Sequence, residues 1–89
     1  MTHETTTRLP PDEVLERAKQ FFAERTPHMA AFLEEEGPRY ATFRGQGGEE
    51  LAIAVFDGAG GTRVRASTLL FDQSIGRFFS TLPAVEEAQ

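Results

Sequence analysis

The sequence predicts an α+β domain in the order α, short α, β, β, β, α, in which a three-stranded antiparallel meander carries its helices on one face. Three observations support this. Apolar residues recur at helical spacing near the start, at alternating positions in the middle, and again at helical spacing near the end. Glycine-rich breaks at Gly45–Gly48 and Asp57–Gly61 divide the middle into strand-length pieces. The apolar segment from Leu69 to Phe79 then joins the last strand to the last helix.

Residues 1–8 hold four threonines and little that is apolar, so they are expected to be a mobile lead. A single α+β domain is expected over 9–83. Pro10 and Pro11 suit a helix entry, because proline there gives up an N–H that has no partner, and Asp12 and Glu13 place negative charge at the positive end of the dipole. Val14, Leu15, Ala18, Phe21 and Phe22 then share one face, which predicts an amphipathic helix over 11–25. Thr26–Pro27 stops it. Thr26 can cap a short second helix through Ala30, Phe32 and Leu33, ended by Gly37–Pro38, although Glu34, Glu35 and Glu36 would sit unfavourably at its negative end; a loop is the competing reading.

From Arg39 the period is two. Tyr40, Thr42 and Arg44 alternate with Ala41 and Phe43; Leu51, Ile53 and Val55 alternate with Ala52, Ala54 and Phe56; Thr62, Val64, Ala66 and Thr68 alternate with Arg63, Arg65 and Ser67. These are the three strands. Asp72 is a candidate N-cap for a helix in which Ile75, Phe78, Phe79 and Leu82 form one face and which Pro83 closes. Gly76 inside that helix points to close approach of a neighbour. Residues 84–89 are expected to fray.

Composition narrows the function classes. At 89 residues, with 39% hydrophobic and 26% charged side chains, the chain has room for one ordinary globular core. It has no cysteine, hence no disulfide, thiolate metal site or cysteine nucleophile, which suits a cytoplasmic location. A net charge of -5 and a pI near 4.9 oppose attraction to nucleic acid or anionic membrane. No signal peptide or membrane-spanning run is apparent.

The glycine segments read as turns, since a phosphate-cradling loop needs a helix after it, and one aspartate cannot hold calcium. His3 and His28 have no second ligand at metal spacing. Ser67, Ser74 and Ser80 lie in no nucleophile motif, and Glu34–Glu36 reads as a solvated edge. No catalytic residue, metal site or cofactor is expected. Tyr40, Arg44, Arg63 and Arg65 are the candidate ligand-binding residues, because an arginine fork on a sheet face suits carboxylate or phosphate; cross-strand pairing with Glu49 or Glu50 is the competing reading.

The middle strand is apolar on both faces, and one helical layer covers only one of them. Ala52, Ala54 and Phe56 are therefore the candidate interface. The leading expectation is a non-enzymatic module that forms a homodimer and binds a protein partner or a small apolar or anionic ligand. The alternative is a small enzyme or anion site built on Tyr40, Arg63 and Arg65.

Leu9–Leu15 and the stretch Gly60-Gly61-Thr62-Arg63-Val64-Arg65 resemble pieces of the START-like helix-grip superfamily, over about a fifth of the chain. Members have roughly twice as many strands and a long C-terminal helix over a hydrophobic cavity. The resemblance implies that this shorter chain would need two copies to enclose such a cavity, and it carries no catalytic residue across.

Overall fold

A computed structural model describes residues 1–24, 31–45, 47–58, 60–69 and 71–84. Its elements in chain order are β1 (Thr2–Thr7), α1 (Pro11–Glu24), β2 (Ala31–Gly37), β3 (Tyr40–Gly45), β4 (Glu50–Gly58), β5 (Gly61–Thr68) and α2 (Asp72–Ser80). The class is α+β, as the periodicities predict. The sheet has five strands rather than three, in the order β1-β5-β4-β3-β2, and every neighbouring pair is antiparallel.

The three central strands are the expected meander, and both additional strands are at its edges. Residues 2–7, expected as a mobile lead, pair along β5 from Thr2↔Ser67 to Thr7↔Thr62. Threonine is β-branched and favours a pleated backbone, so a stretch poor in apolar residues still forms a strand when an open edge offers hydrogen bonds. Its last residue is anchored firmly. Thr7 is buried, its Oγ1 donates to Pro83 O at 2.6 Å, and the Leu9 amide donates back to that oxygen at 3.3 Å.

The segment expected as a short helix is β2 over its described part. It pairs with β3 from Ala31↔Gly45 to Gly37↔Tyr40, with a bulge between Leu33 and Glu35. The physical reason lies in its carboxylates. At a helix C-terminus three glutamates oppose the dipole, whereas on an edge strand they reach cations: Glu34 meets Arg44, and Glu36 meets Lys19 of α1 at 2.8 Å. Lys19 also lies 3.2 Å from Glu16, and its hydrogen bonds to Glu36 and Glu16 raise its pKa. Gly37–Pro38, expected to end a helix, instead leads through a tight turn into β3. Thr26, Pro27 and His28 lie outside the described residues.

The core fills the space between one sheet face and the two helices. Val14, Leu15, Ala18, Phe21 and Phe22 of α1 and Ile75 and Phe78 of α2, with Leu82 beyond it, pack against Ala41, Phe43, Leu51, Ile53, Val55, Val64 and Ala66 of the sheet. Phe71 joins the same cluster at the junction of β5 with α2, and Leu69 just before it is exposed. The period-two reading thus assigns the inward residues of the three central strands correctly. Gly48 and Gly60 adopt positive φ, of 91° and 75°, in the turns on either side of β4, where a side chain would be strained.

Two details of α2 differ from the sequence reading. Asp72 is its first residue rather than its N-cap; Phe71 holds the cap position and gives no side-chain hydrogen bond. Gly76 is exposed, and a Cβ built there would meet no atom within 4 Å, so no neighbour requires a glycine. Gly76→Ala is therefore expected to stabilise the domain by about 0.5–1 kcal/mol through helix propensity alone, read as a higher urea midpoint. A lower midpoint would mean that the position meets a surface outside the chain.

Candidate functional site

Among the described residues both helices pack on the inner face of the sheet and no helix covers the outer face. Alternation puts Ala52, Ala54 and Phe56 of β4 on that face, and register brings the other candidates beside them. Tyr40 of β3 pairs with Ala54, which pairs with Arg65 of β5; Thr42 pairs with Ala52, and Ala52 with Ser67; Phe56 pairs with Arg63; Arg44 pairs with Glu50. All seven residues named from the sequence therefore occupy one continuous surface. Its centre is apolar and half open, with Phe56 at 44% and Tyr40 at 38% exposure, and its flanks are charged.

The two edge strands complete the flanks. Beyond β5, Glu4 of β1 lies opposite Arg65 in register, and Arg63 Nη2 donates to its Oε1 at 3.1 Å. Beyond β3, Glu34 receives Arg44 through both prongs of the guanidinium, Nε to Oε2 at 2.5 Å and Nη2 to Oε1 at 3.0 Å. Arg44 also reaches Glu50 at 3.4 Å and the Gly48 carbonyl at 2.9 Å. The fork from Arg44 holds the Glu34 carboxyl below the usual carboxylate range, and the same contact raises the Arg44 pKa.

Of the two glutamates named as cross-strand partners, Glu50 fills that role for Arg44. Glu4 and Glu34 were missed because both lie on strands the sequence did not announce. Arg44 and Arg63 thus spend their forks within the chain. Arg65 makes no hydrogen bond or ion pair with any described residue, and its side chain is exposed.

Tyr40 donates its hydroxyl to Glu35 Oε1 at 3.2 Å. The negative charge of Glu35, with some burial, raises the phenol pKa, so Tyr40 stays a donor at neutral pH and is poorly suited to act as a base. Tyr40 and Arg65 are two strands apart, roughly 10 Å, with only the small Ala54 between them. The surface is a shallow floor with charged walls.

Two clefts are lined by described residues, the first at one end of this floor and the second away from it. One of about 510 Å³ opens where Met1 and Thr2 approach Glu49, Glu50, Ser67 and Leu69. The other, of about 400 Å³, lies between α1 and the β2–β3 turn and is lined by Glu13, Glu16, Glu36 and Lys19. Among the described residues no three histidine, aspartate or glutamate side chains gather where a metal could bind. No described helix is long and apolar enough to cross a membrane.

His3, read from the sequence as incidental, ties the outermost strand to α2. Its Nε2 donates to Asp72 Oδ1 at 2.6 Å across 69 residues of chain. That hydrogen bond holds the Asp72 carboxyl below its usual range against the opposing effect of burial, with further help from the Met1 ammonium. Comparison of the chain with protein-family models, with curated proteins and with solved structures finds no match, so the reading of its function rests on this geometry.

Proposed function

We propose that this chain is a small non-enzymatic module that acts through the outer face of its sheet, which it presents to another protein surface, a second copy of itself being the simplest partner. One observation carries the reading: a five-stranded sheet has both described helices on one side and an apolar centre on the other. An antiparallel sheet can leave one face to water, but such a face normally alternates to polar residues. Here the outward positions at the centre include Ala52, Ala54, Phe56 and Tyr40, and charge surrounds them, at Arg63 and Arg65 on β5 and at Arg44 with Glu50 towards one end. An apolar centre inside a polar rim is the usual anatomy of a protein interface.

The enzymatic alternative is less well supported. Its cations are largely committed, Arg44 to Glu34 and Arg63 to Glu4, its phenol is held protonated, and the floor between them is open. An anion could still meet Arg65, but a single exposed guanidinium is a weak site.

Light scattering over a range of concentrations tests the proposal. A particle of about twice 9.9 kDa is expected for the unaltered chain, and Ala54→Arg, which plants a charge in the middle of the floor, is expected to give a folded particle of one chain's mass. A single-chain mass at every concentration would overturn self-association. An Ala54→Arg protein that still dimerises would place the interface elsewhere.

A further inference from the structure

We infer that two copies pair outer face to outer face about a two-fold axis that runs parallel to the strands between β3 and β4, so that Arg65 of each copy meets Glu35 of the other. This inference rests on the reading above and adds the pairing geometry.

The charges on the face select the arrangement. Arg44 is paired with Glu34 and Glu50, and Arg63 with Glu4. Two charged groups are left without an ion partner among the described residues: Arg65 on β5, and Glu35 on β2, whose hydrogen bond is to the neutral Tyr40 hydroxyl. They have opposite sign and lie on opposite sides of the apolar floor. They are also nearly level. Arg65 shares a cross-strand row with Ala54 and Tyr40, and Glu35 shares the next row with Thr42 and Ala52. That offset is about 7 Å along the strands, within the combined span of an arginine and a glutamate.

A two-fold axis parallel to the strands keeps each row at its own height and exchanges left for right. Placed between β3 and β4, it sets β5 of one copy over β2 of the other, because each lies one and a half strand spacings from the axis in the order β1-β5-β4-β3-β2. It also sets Ala54 over Tyr40 in the same row, so that the largest central side chain meets one of the smallest. An axis at right angles to the strands does the reverse. It lays β5 on β5 and β2 on β2, bringing arginine against arginine and glutamate against glutamate, an arrangement that like-charge repulsion disfavours. Edge-to-edge pairing through β2 meets the bulge and the three glutamates, both of which oppose strand addition.

The overlap suits a weak, concentration-dependent dimer. With the axis between β3 and β4 the strands β5, β4, β3 and β2 of each copy overlap, and at about 4.8 Å spacing and roughly six residues in length they give a face of about 19 by 20 Å, so joining two such faces removes on the order of 800 Å² in total, the size of a weak or transient interface. An interface of that size should depend on its paired charges.

Self-association of the full chain, measured by sedimentation, tests the arrangement. Arg65→Glu and Glu35→Arg should each weaken the dimer by roughly 10- to 100-fold, and the double variant should return to within a few-fold of the unaltered chain. Raising the salt should weaken the unaltered dimer. Arg65 and Glu35 are both exposed, and circular dichroism checks that each variant is folded; Arg65→Gln with Glu35→Gln, each weakening the dimer less than reversal, serves if a reversal does not fold. If the double variant is no better than the singles while Ala54→Arg is monomeric, the axis is wrong and the interface reading stands. If Ala54→Arg remains a dimer, or the unaltered chain is a monomer, both fail.

Discussion

Phe22→Ala is expected to cost about 3–5 kcal/mol, the range for removing a fully buried aromatic ring. The ring lies where three elements meet. It is completely buried, at 5.1 Å from Phe21 in an edge-to-face arrangement, 5.6 Å from Phe43 of β3 and 5.5 Å from Phe78 of α2. Those partners come from α1, the sheet and α2, so none can close the cavity without moving an element. At about 0.05–0.15 kcal/mol per residue, a domain of 89 residues has roughly 4–13 kcal/mol in all, and the substitution therefore removes much of it. Urea unfolding at one fixed protein concentration gives the number, since any dimer adds a concentration-dependent share. A loss under about 1.5 kcal/mol would mean that α2 does not close the core over this ring.

The inward half of this core is legible in the sequence because period and face coincide. Val14, Ala18, Phe21 and Phe22 can share a side only if the segment is helical, and Leu51, Ile53 and Val55 can share one only if it is extended. The two edge strands are harder to read because what stabilises them is elsewhere in the chain. β1 buries one residue fully, Thr7, and β2 one, Ala31; neither carries an apolar stripe of its own. Each exists because β5 and β3 offer unpaired backbone groups at the margins of the meander. A signal was nevertheless present for β2. Three glutamates ahead of Gly37–Pro38 conflict with a helix C-terminus, and that conflict is resolved by an extended edge.

The outer face is legible in part for a related reason. Alternation within each strand fixes which residues go together along it, so Ala52, Ala54 and Phe56 can be grouped from the sequence. Whether Tyr40, Arg63 and Arg65 join them depends on the register across two turns, and only the structure gives Tyr40↔Ala54 and Ala54↔Arg65. The commitment of the arginines was legible only where Arg44 meets Glu50; the rest was not. It depends on Glu4 and Glu34, at 59 residues from Arg63 and 10 from Arg44, on the two strands that propensity did not reveal.

Removing residues 1–7 is expected to destabilise the domain by about 3–5 kcal/mol, where deletion of a mobile lead would cost nothing. The strand makes six cross-strand pairs with β5, each worth about 0.2–1 kcal/mol, and the hydroxyl of Thr7 adds hydrogen bonds at about 1 kcal/mol apiece. Deletion also takes away the lid over one end of the core, because Thr7 and Pro83 close the space beside Leu9, whose carbonyl accepts from Thr62 Oγ1 at 2.7 Å. It then bares the whole edge of β5, a row of unpaired amides and carbonyls that invites association with other chains. Two readouts are therefore expected together: a lower urea midpoint, and light scattering that rises with concentration beyond the mass of a dimer. Thr7→Val separates the contributions, since it keeps the shape, takes the Leu9 amide's partner away and leaves Pro83 O with the Arg8 amide but without the shorter hydroxyl bond, at about 1–3 kcal/mol. A truncated chain as stable as the full one would show that the sheet stands without β1, and the five-stranded outer face would then narrow to four strands, with Arg63 released from Glu4 to join Arg65 as a second uncommitted cation.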